Sequence, residues 1–272
     1  KTPKIESTGS GGGMRLFCEG VGADFPDIVN ASRRIKQSEI DRCAGNGVTQ
    51  IVEVKLGYDG IVIAYAVGSE TVNFSGVEIF LALAKQVPGE LEGQLIDNPY
   101  KTWSDINPAL PSIRILVMGP PPTSGTRDSF VELAMENGCR SVPWIVALES
   151  TDIDRYRTIC HSVREDGMFV EVGENDNLIV QKLQSNPEAF GIFGYSFLDQ
   201  NREKVKAAAI NGVLPTFETI SDGLYPVWRP LFMYVKKAHV DVVPGLRGYL
   251  REFTSERAWG EMGYLSDRGL VP

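Results

Sequence analysis

GPPPTSGTRDSFVELAMENG, residues 119–138, is the stretch whose reading decides the fold. Three prolines, Pro120 to Pro122, hold the approach extended. Thr123-Ser124-Gly125-Thr126-Arg127 then opens a helix in which Phe130, Leu133 and Ala134 share one apolar face. Gly138 stands where a C′ glycine would stop it. The opening offers hydroxyls, a glycine that permits close backbone approach, helix N-terminal N–H groups and one guanidinium. Those are the components of an oxyanion cradle, in which dipole and charge-assisted hydrogen bonds favour negative charge. A nucleotide P-loop is excluded, because the Gly-Lys-Ser/Thr ending is absent. A plain capped helix with a polar first turn has the same composition.

Working outward, the same idea recurs near the start. Glu6-Ser7-Thr8-Gly9-Ser10-Gly11-Gly12-Gly13 precedes Met14, Phe17 and Cys18 at helical spacing, with Gly20 beyond. Two anion-friendly helix starts far apart in sequence point to a cleft with one donor set on each wall.

Composition narrows the function classes. The chain has 272 residues, 43% hydrophobic and 23% charged, enough for one large domain or two lobes. No apolar run has the length of a membrane span. A net charge of −8 argues against nucleic acid as partner, so an anion must be held by local donors rather than by overall field. Four cysteines and two histidines show no metal-ligand spacing, so no metal or cofactor is expected. The cysteines fall into sequence-close pairs, Cys18 with Cys43 and Cys139 with Cys160, which suits disulfides in an oxidising compartment; four buried thiols are the alternative. The chain begins at Lys1 without an initiator methionine and reads as a processed or truncated product.

Along the chain, residues 38–46 resemble a helix capped by Ser38 with Ile40 and Cys43 inward. Residues 51–56 alternate as a strand, Gly57-Tyr58-Asp59-Gly60 reads as a turn, and residues 61–67 as a buried strand. A helix over 75–87 places Val77, Phe80, Leu81 and Ala84 on one face. A strand over 113–118 runs into the organising stretch, the α/β way of presenting a ligand site at a strand's carboxyl end. Helices over 151–164, 177–186 and 245–260 and strands over 190–197 and 225–235 complete the pattern. Alternating strands and helices predict an α/β fold with mixed, mostly parallel sheet flanked by helices.

The combination resembles the family of periplasmic phosphate-binding proteins that serve Pst-type ABC transporters. Gly9-Ser10-Gly11-Gly12 is similar to its first-lobe turn, Asn30-Ala31-Ser32-Arg33 to its Gly-Ala-Ser-Asp-like segment, and KTWSDINPALP (101–111) to its "W-D…NP…LP" block. Thr123-Ser124-Gly125-Thr126 is similar to its second-lobe Ser-Gly-Thr turn, and Tyr225-Pro226 with the strand after it to its return crossing. The resemblance implies a two-lobed type II periplasmic-binding fold, with residues 1–68 plus 226–272 as lobe 1 and 69–225 as lobe 2. It implies crossings near Tyr65–Ser69 and Pro226–Arg229 and closure of the lobes on inorganic phosphate. It also implies docking of a monomer on a membrane permease, a periplasmic location and no chemical transformation.

Carried over by position, the anion-binding set is Ser10, Gly11, Ser32, Arg33, Asp59, Ser124, Gly125, Thr126 and Arg127. Three departures bear on it. Arg33 stands where the family has an aspartate that accepts a hydrogen bond from a protonated phosphate oxygen, and Pro120 stands where it has an arginine. The family's first strand and helix have no counterpart. Arg127 becomes the replacement cation, with Arg33 or Arg34 adding another, and Asp59 the replacement acceptor. Alternatives are a degenerate oxyanion sensor or surface protein, or a phosphatase-like enzyme using Ser124 or Ser10 as nucleophile. The histidines His161 and His239 sit in no nucleophile motif, and no carboxylate cluster has metal spacing.

Overall fold

The computed structural model describes residues 4–6, 8–122, 124–173, 175–260, 263–265, 270 and 271. The chain divides into two units: residues 1–59, 123–125 and 229–272 form unit 1, and residues 60–122 and 126–228 form unit 2.

Unit 1 begins with α1 (Gly9–Phe17), β1 (Ile28–Ala31), α2 (Gln37–Gly45) and the first part of β2 (Ile51–Ala66). A helix beginning GSGGG is intrinsically poor, each interior glycine costing about 1 kcal/mol against alanine. Burial holds it: Met14 and Phe17 are fully enclosed, and a buried side chain of that size is worth roughly 1.5–3 kcal/mol. The Cys18–Cys43 disulfide fastens its end to α2. Gly13 is there for space, since a Cβ would stand 2.8 Å from Cγ2 of Val29 on β1.

α2 starts earlier than the sequence predicts. Its N-cap position is Lys36, whose N–H donates to Glu39 Oε2 at 2.9 Å, and Ser38 lies inside the helix. Cys43 points inward as expected, but Ile40 is 38% exposed.

The expected turn at residues 57–60 does not exist: β2 runs unbroken from Ile51 to Ala66. Its glycines serve close approach. A Cβ on Gly57 would stand 2.2 Å from the carbonyl oxygen of Val271, which accepts the Tyr58 N–H at 2.6 Å. Asp59 is therefore a mid-strand residue.

Unit 2 continues with β3 (Asn73–Phe74), α3 (Gly76–Leu83), β4 (Gln86–Pro88), β5 (Leu95–Asp97), α4 (Trp103–Ile106) and β6 (Val117–Gly119). Next come α5 (Gly125–Phe130, its first residue in unit 1), a π-helical turn (Val131–Met135) and α6 (Glu136–Cys139), one continuous helical run. They are followed by α7 (Pro143–Thr151), α8 (Ile153–His161), β7 (Phe169–Glu171), α9 (Asp176–Ser185) and β8 (Phe190–Gly194). The unit closes with α10 (Tyr195–Asp199), β9 (Val205–Ala207), β10 (Ala209–Ile210) and α11 (Phe217–Ser221). β8 lies antiparallel to β2, with Ile61 opposite Gly194, and parallel to β6. β6 is parallel to β7, and β9 pairs antiparallel with β2, so the sheet is mixed. Phe74, Trp103 and Phe190 form an aromatic core with ring centroids 4.4–5.3 Å apart.

Two helix readings change here. α3 is capped reciprocally by Ser75 and Glu78, but it ends at Leu83, because Ala84 turns extended to pair with Val163. It is apolar on nearly every side, so periodicity alone misplaces its buried face, and Val77 is 39% exposed. Gly138 is no helix stop. The helix runs through it to Cys139, and a Cβ there would stand 1.9 Å from the carbonyl oxygen of Gly76. Cys139 is bonded to Cys160 of α8, so both expected disulfides form.

The chain returns to unit 1 along β11 (Trp228–Lys236), which pairs antiparallel with β1 and lies between β1 and β2. The single helix expected over 245–260 is split into α12 (Leu246–Phe253) and α13 (Glu256–Trp259). Thr254 Oγ1 and Ser255 Oγ donate back to the carbonyls of Leu250 and Glu252 and break the run there. Among the described residues no helix is long and apolar enough to cross a membrane.

Candidate functional site

Unit 1 brings together residues from five separate stretches of chain. Ser10, in the first turn of α1, accepts the Ser32 N–H on its Oγ at 3.0 Å, and the two hydroxyl oxygens are 3.1 Å apart. Ser32, just past β1, has its Oγ 3.7 Å from where a Cβ on Gly125 would sit, so the two loops nearly touch. Ser124, beside Gly125, is 6% exposed.

The third wall comes from the strands. Arg229 on β11 donates from Nε and Nη2 to Oδ2 of Asp59 on β2, at 3.1 and 2.9 Å. Its Nη1 donates to the Gly125 carbonyl oxygen at 2.7 Å. Arg229 and Asp59 are each only 9% exposed. Hydrogen bonds join Ser10 to Ser32 and Gly125 to Arg229 to Asp59, and Ser32 lies close to Gly125. Both Arg229 bonds to the carboxylate fall on Oδ2, and among the described residues Oδ1 accepts none.

Arg33 lies next to this group but is engaged. It donates from Nη1 and Nη2 to the two oxygens of Glu39, at 2.9 and 2.8 Å. Burial alone would raise the Glu39 carboxyl; the Arg33 fork and the Lys36 N–H outweigh it and hold the group below the usual carboxylate range. Gly11 sits under the same guanidinium: a Cβ there would be 3.9 Å from Arg33 Nη2. Arg33 with Glu39 and Arg229 with Asp59 each balance one charge, so the group offers oriented donors and little net charge. That fits the acidic composition, in which local hydrogen bonds must do what long-range attraction cannot.

Thr126 and Arg127 follow Gly125 directly and belong to unit 2. The Arg127 guanidinium lies 4.3 Å over the Phe169 ring and donates to the Pro120 carbonyl at 3.2 Å, with Glu171 at 3.9 Å. Its side chain is 12% exposed, and that burial lowers its pKa against the pull of Glu171 and Asp128. Thr123 and Ser7 lie outside the described residues.

The structure thus brings Ser10, Ser32, Gly125 and Asp59 into one cluster in unit 1, sets Ser124 in the chain beside it, and holds Arg33 and Gly11 at its edge against Glu39. The residue that sequence reasoning missed is Arg229. Its signal was a lone charge inside the apolar run YPVWRPLFMYV, residues 225–235. A guanidinium in such a strand needs a buried partner. The histidines are committed elsewhere: His239 lies between Asp27 and the Gly22 N–H, and His161 is bonded to Glu136.

A family model described as a PBP superfamily domain matches residues 1–257. The chain is 28% identical over 250 residues to the phosphate-binding protein PstS of Staphylococcus saprophyticus, covering 90% of this chain and 64% of that protein. It is 26% identical over 244 residues to the protein SphX of Synechococcus elongatus, covering 86% of this chain and 60% of that one. The chain therefore spans less than two thirds of the length of these relatives. Among solved structures, a possible phosphate binding protein from Planctomyces limnophilus superposes with a TM-score of 0.58 at 25% identity, over 96% of this chain and 80% of that one. An ABC-type phosphate transport receptor from Vibrio cholerae shares the fold, with a TM-score of 0.63 at 17% identity over 97% and 86%.

Proposed function

The chain belongs to the PBP superfamily, and on that premise we propose that it is the solute-binding component of a phosphate importer. It takes up inorganic phosphate outside the cytoplasmic membrane, as a single copy, and hands it to a membrane permease without transforming it. The observation that carries this reading is that the Ser10–Ser32 hydroxyl pair lies beside Gly125, whose carbonyl is held by the Arg229 that also holds Asp59.

Each member has a part. Ser10, Gly11, Ser32 and the Ser124–Gly125 turn present hydroxyls and backbone N–H groups to phosphate oxygens. Thr126 and Arg127 extend the same donor run by their adjacency in sequence. Arg33 adds positive character shared with Glu39. Asp59 Oδ1 accepts a hydrogen bond from the proton that inorganic phosphate keeps at neutral pH, as monobasic or dibasic ion. That acceptor separates phosphate from sulfate, which has no proton to give. The two disulfides support an oxidising location. Relatives bearing the name phosphate-binding protein support the choice of ligand.

Titration calorimetry with inorganic phosphate, run beside a chromogenic phosphoester assay, tests the reading. Saturable binding without turnover is expected. No binding heat, or turnover that Ser124→Ala abolishes, overturns it.

A further inference from the structure

We propose that Arg229 is a positioning residue that sets the direction of the Thr126 N–H, resting on the oxyanion reading above. Three bonds on one planar guanidinium carry the argument. Two go to a single carboxylate oxygen of Asp59, at 3.1 and 2.9 Å, and fix the plane of the fork on β2. The third goes to the Gly125 carbonyl at 2.7 Å. That carbonyl and the Thr126 N–H belong to one peptide unit, and no peptide bond among the described residues is cis. In a planar trans amide the C=O and N–H point in opposite directions. Holding the Gly125 oxygen therefore aims the Thr126 N–H away from Arg229.

The side chain suits the task. A lysine ammonium is a point donor on a flexible stem and cannot hold a carboxylate and a carbonyl in one rigid plane. Burying a guanidinium in an apolar strand is costly, and the same volume filled by apolar residues is often as stable. Arg229 acts through the turn and Asp59 through the ligand's proton, so the two make separable contributions. Loss of Arg229 weakens every tetrahedral oxyanion alike, whatever its protonation.

Arg229→Lys is the test, with two readouts. In the ligand-free protein, the residual dipolar coupling of the Thr126 N–H shifts, because the peptide unit turns once its oxygen is released. In calorimetry, phosphate and sulfate each bind about tenfold or more weakly, with their ratio unchanged. An unchanged Thr126 coupling overturns the proposal, as does an affinity loss confined to phosphate. Failure of the unaltered protein to bind either anion defeats the phosphate reading, while the Thr126 coupling still decides what Arg229 holds. If Arg229→Lys does not fold, Arg229→Met combined with Asp59→Leu removes the buried pair as a whole. A shifted Thr126 coupling in that protein supports the role and an unchanged one overturns it.

Discussion

The Ser32 N–H donates to Ser10 Oγ at 3.0 Å, so a serine on a glycine-rich helix fixes a loop 22 residues away. Ser10 therefore serves stability and ligand together. Ser10→Ala leaves the Ser32 N–H without its partner in a part-buried setting and removes one ligand donor. We expect roughly 1–3 kcal/mol of lost stability and about a tenfold loss in phosphate affinity. Denaturant titration and calorimetry measure the two separately.

Asp59→Asn tests the proton acceptor. Asparagine keeps the shape, but its buried amide no longer supplies an ionised oxygen. The phosphate-over-sulfate preference should fall by about tenfold near pH 5.5 and near pH 8 alike, because inorganic phosphate keeps at least one proton to donate at both. Competition binding at both pH values provides the check. A preference that survives places the acceptor elsewhere.

Arg127 carries a cation into a largely enclosed position over the Phe169 ring, with Glu171 at 3.9 Å. Arg127→Met preserves much of the packing on that ring and deletes the charge. If the guanidinium meets the anion, affinity drops by roughly ten- to a hundredfold, the worth of a charge-assisted bond. Unchanged affinity with a lowered melting temperature assigns Arg127 to packing instead.

These residues also show where the sequence could be read. Ser124-Gly125-Thr126-Arg127 and the Ser10 segment were legible as helix starts, because hydroxyls and glycines mark an N-terminus, and helices do begin at Gly125 and Gly9. Cys18, Cys43, Cys139 and Cys160 were legible because each pair is close in sequence. Asp59 was misread, because a glycine that makes room for a crossing chain looks the same in sequence as a glycine that makes a turn. Gly57 and Gly138 are of the first kind. Arg229 showed only as a lone charge in an apolar run, because its partner, Asp59, lies 170 positions away. The helix at 76–83 was found and its face only partly placed, with Phe80 and Ala84 buried but Val77 exposed, since a segment apolar on nearly all sides has little periodicity to read.

Glu136 gives a prediction about acid stability. The His161 hydrogen bond, with help from Arg140 and Tyr156 and against burial, holds its carboxyl down to about 2 from the ordinary 4.5. A carboxylate depressed in the folded state stabilises the fold fully above its unfolded value. That contribution fades as pH falls from about 4.5 toward 2. In Glu136→Gln this part of the acid sensitivity should disappear, so the variant loses less stability than the parent between roughly pH 6 and pH 3. Urea midpoints at the two pH values measure it; parallel losses in both proteins refute the assignment.

Gly138 offers the sharpest test of packing in unit 2. α6 approaches α3 so closely that a Cβ at 138 would stand 1.9 Å from the Gly76 carbonyl oxygen and 2.7 Å from the Phe80 Cβ. The nearer atom is backbone, so no rotamer change relieves the clash and the helices must separate. Separation pulls on the Cys139–Cys160 link one residue later and opens space around Phe80, which is fully buried. Gly138→Ala would gain up to about 1 kcal/mol from helix propensity in an unhindered helix. Overpacking here should cost more than that, leaving a net loss of roughly 1–3 kcal/mol. Chemical denaturation gives the sign directly, and a stabilised Gly138→Ala variant would show that α3 and α6 do not meet at Gly76.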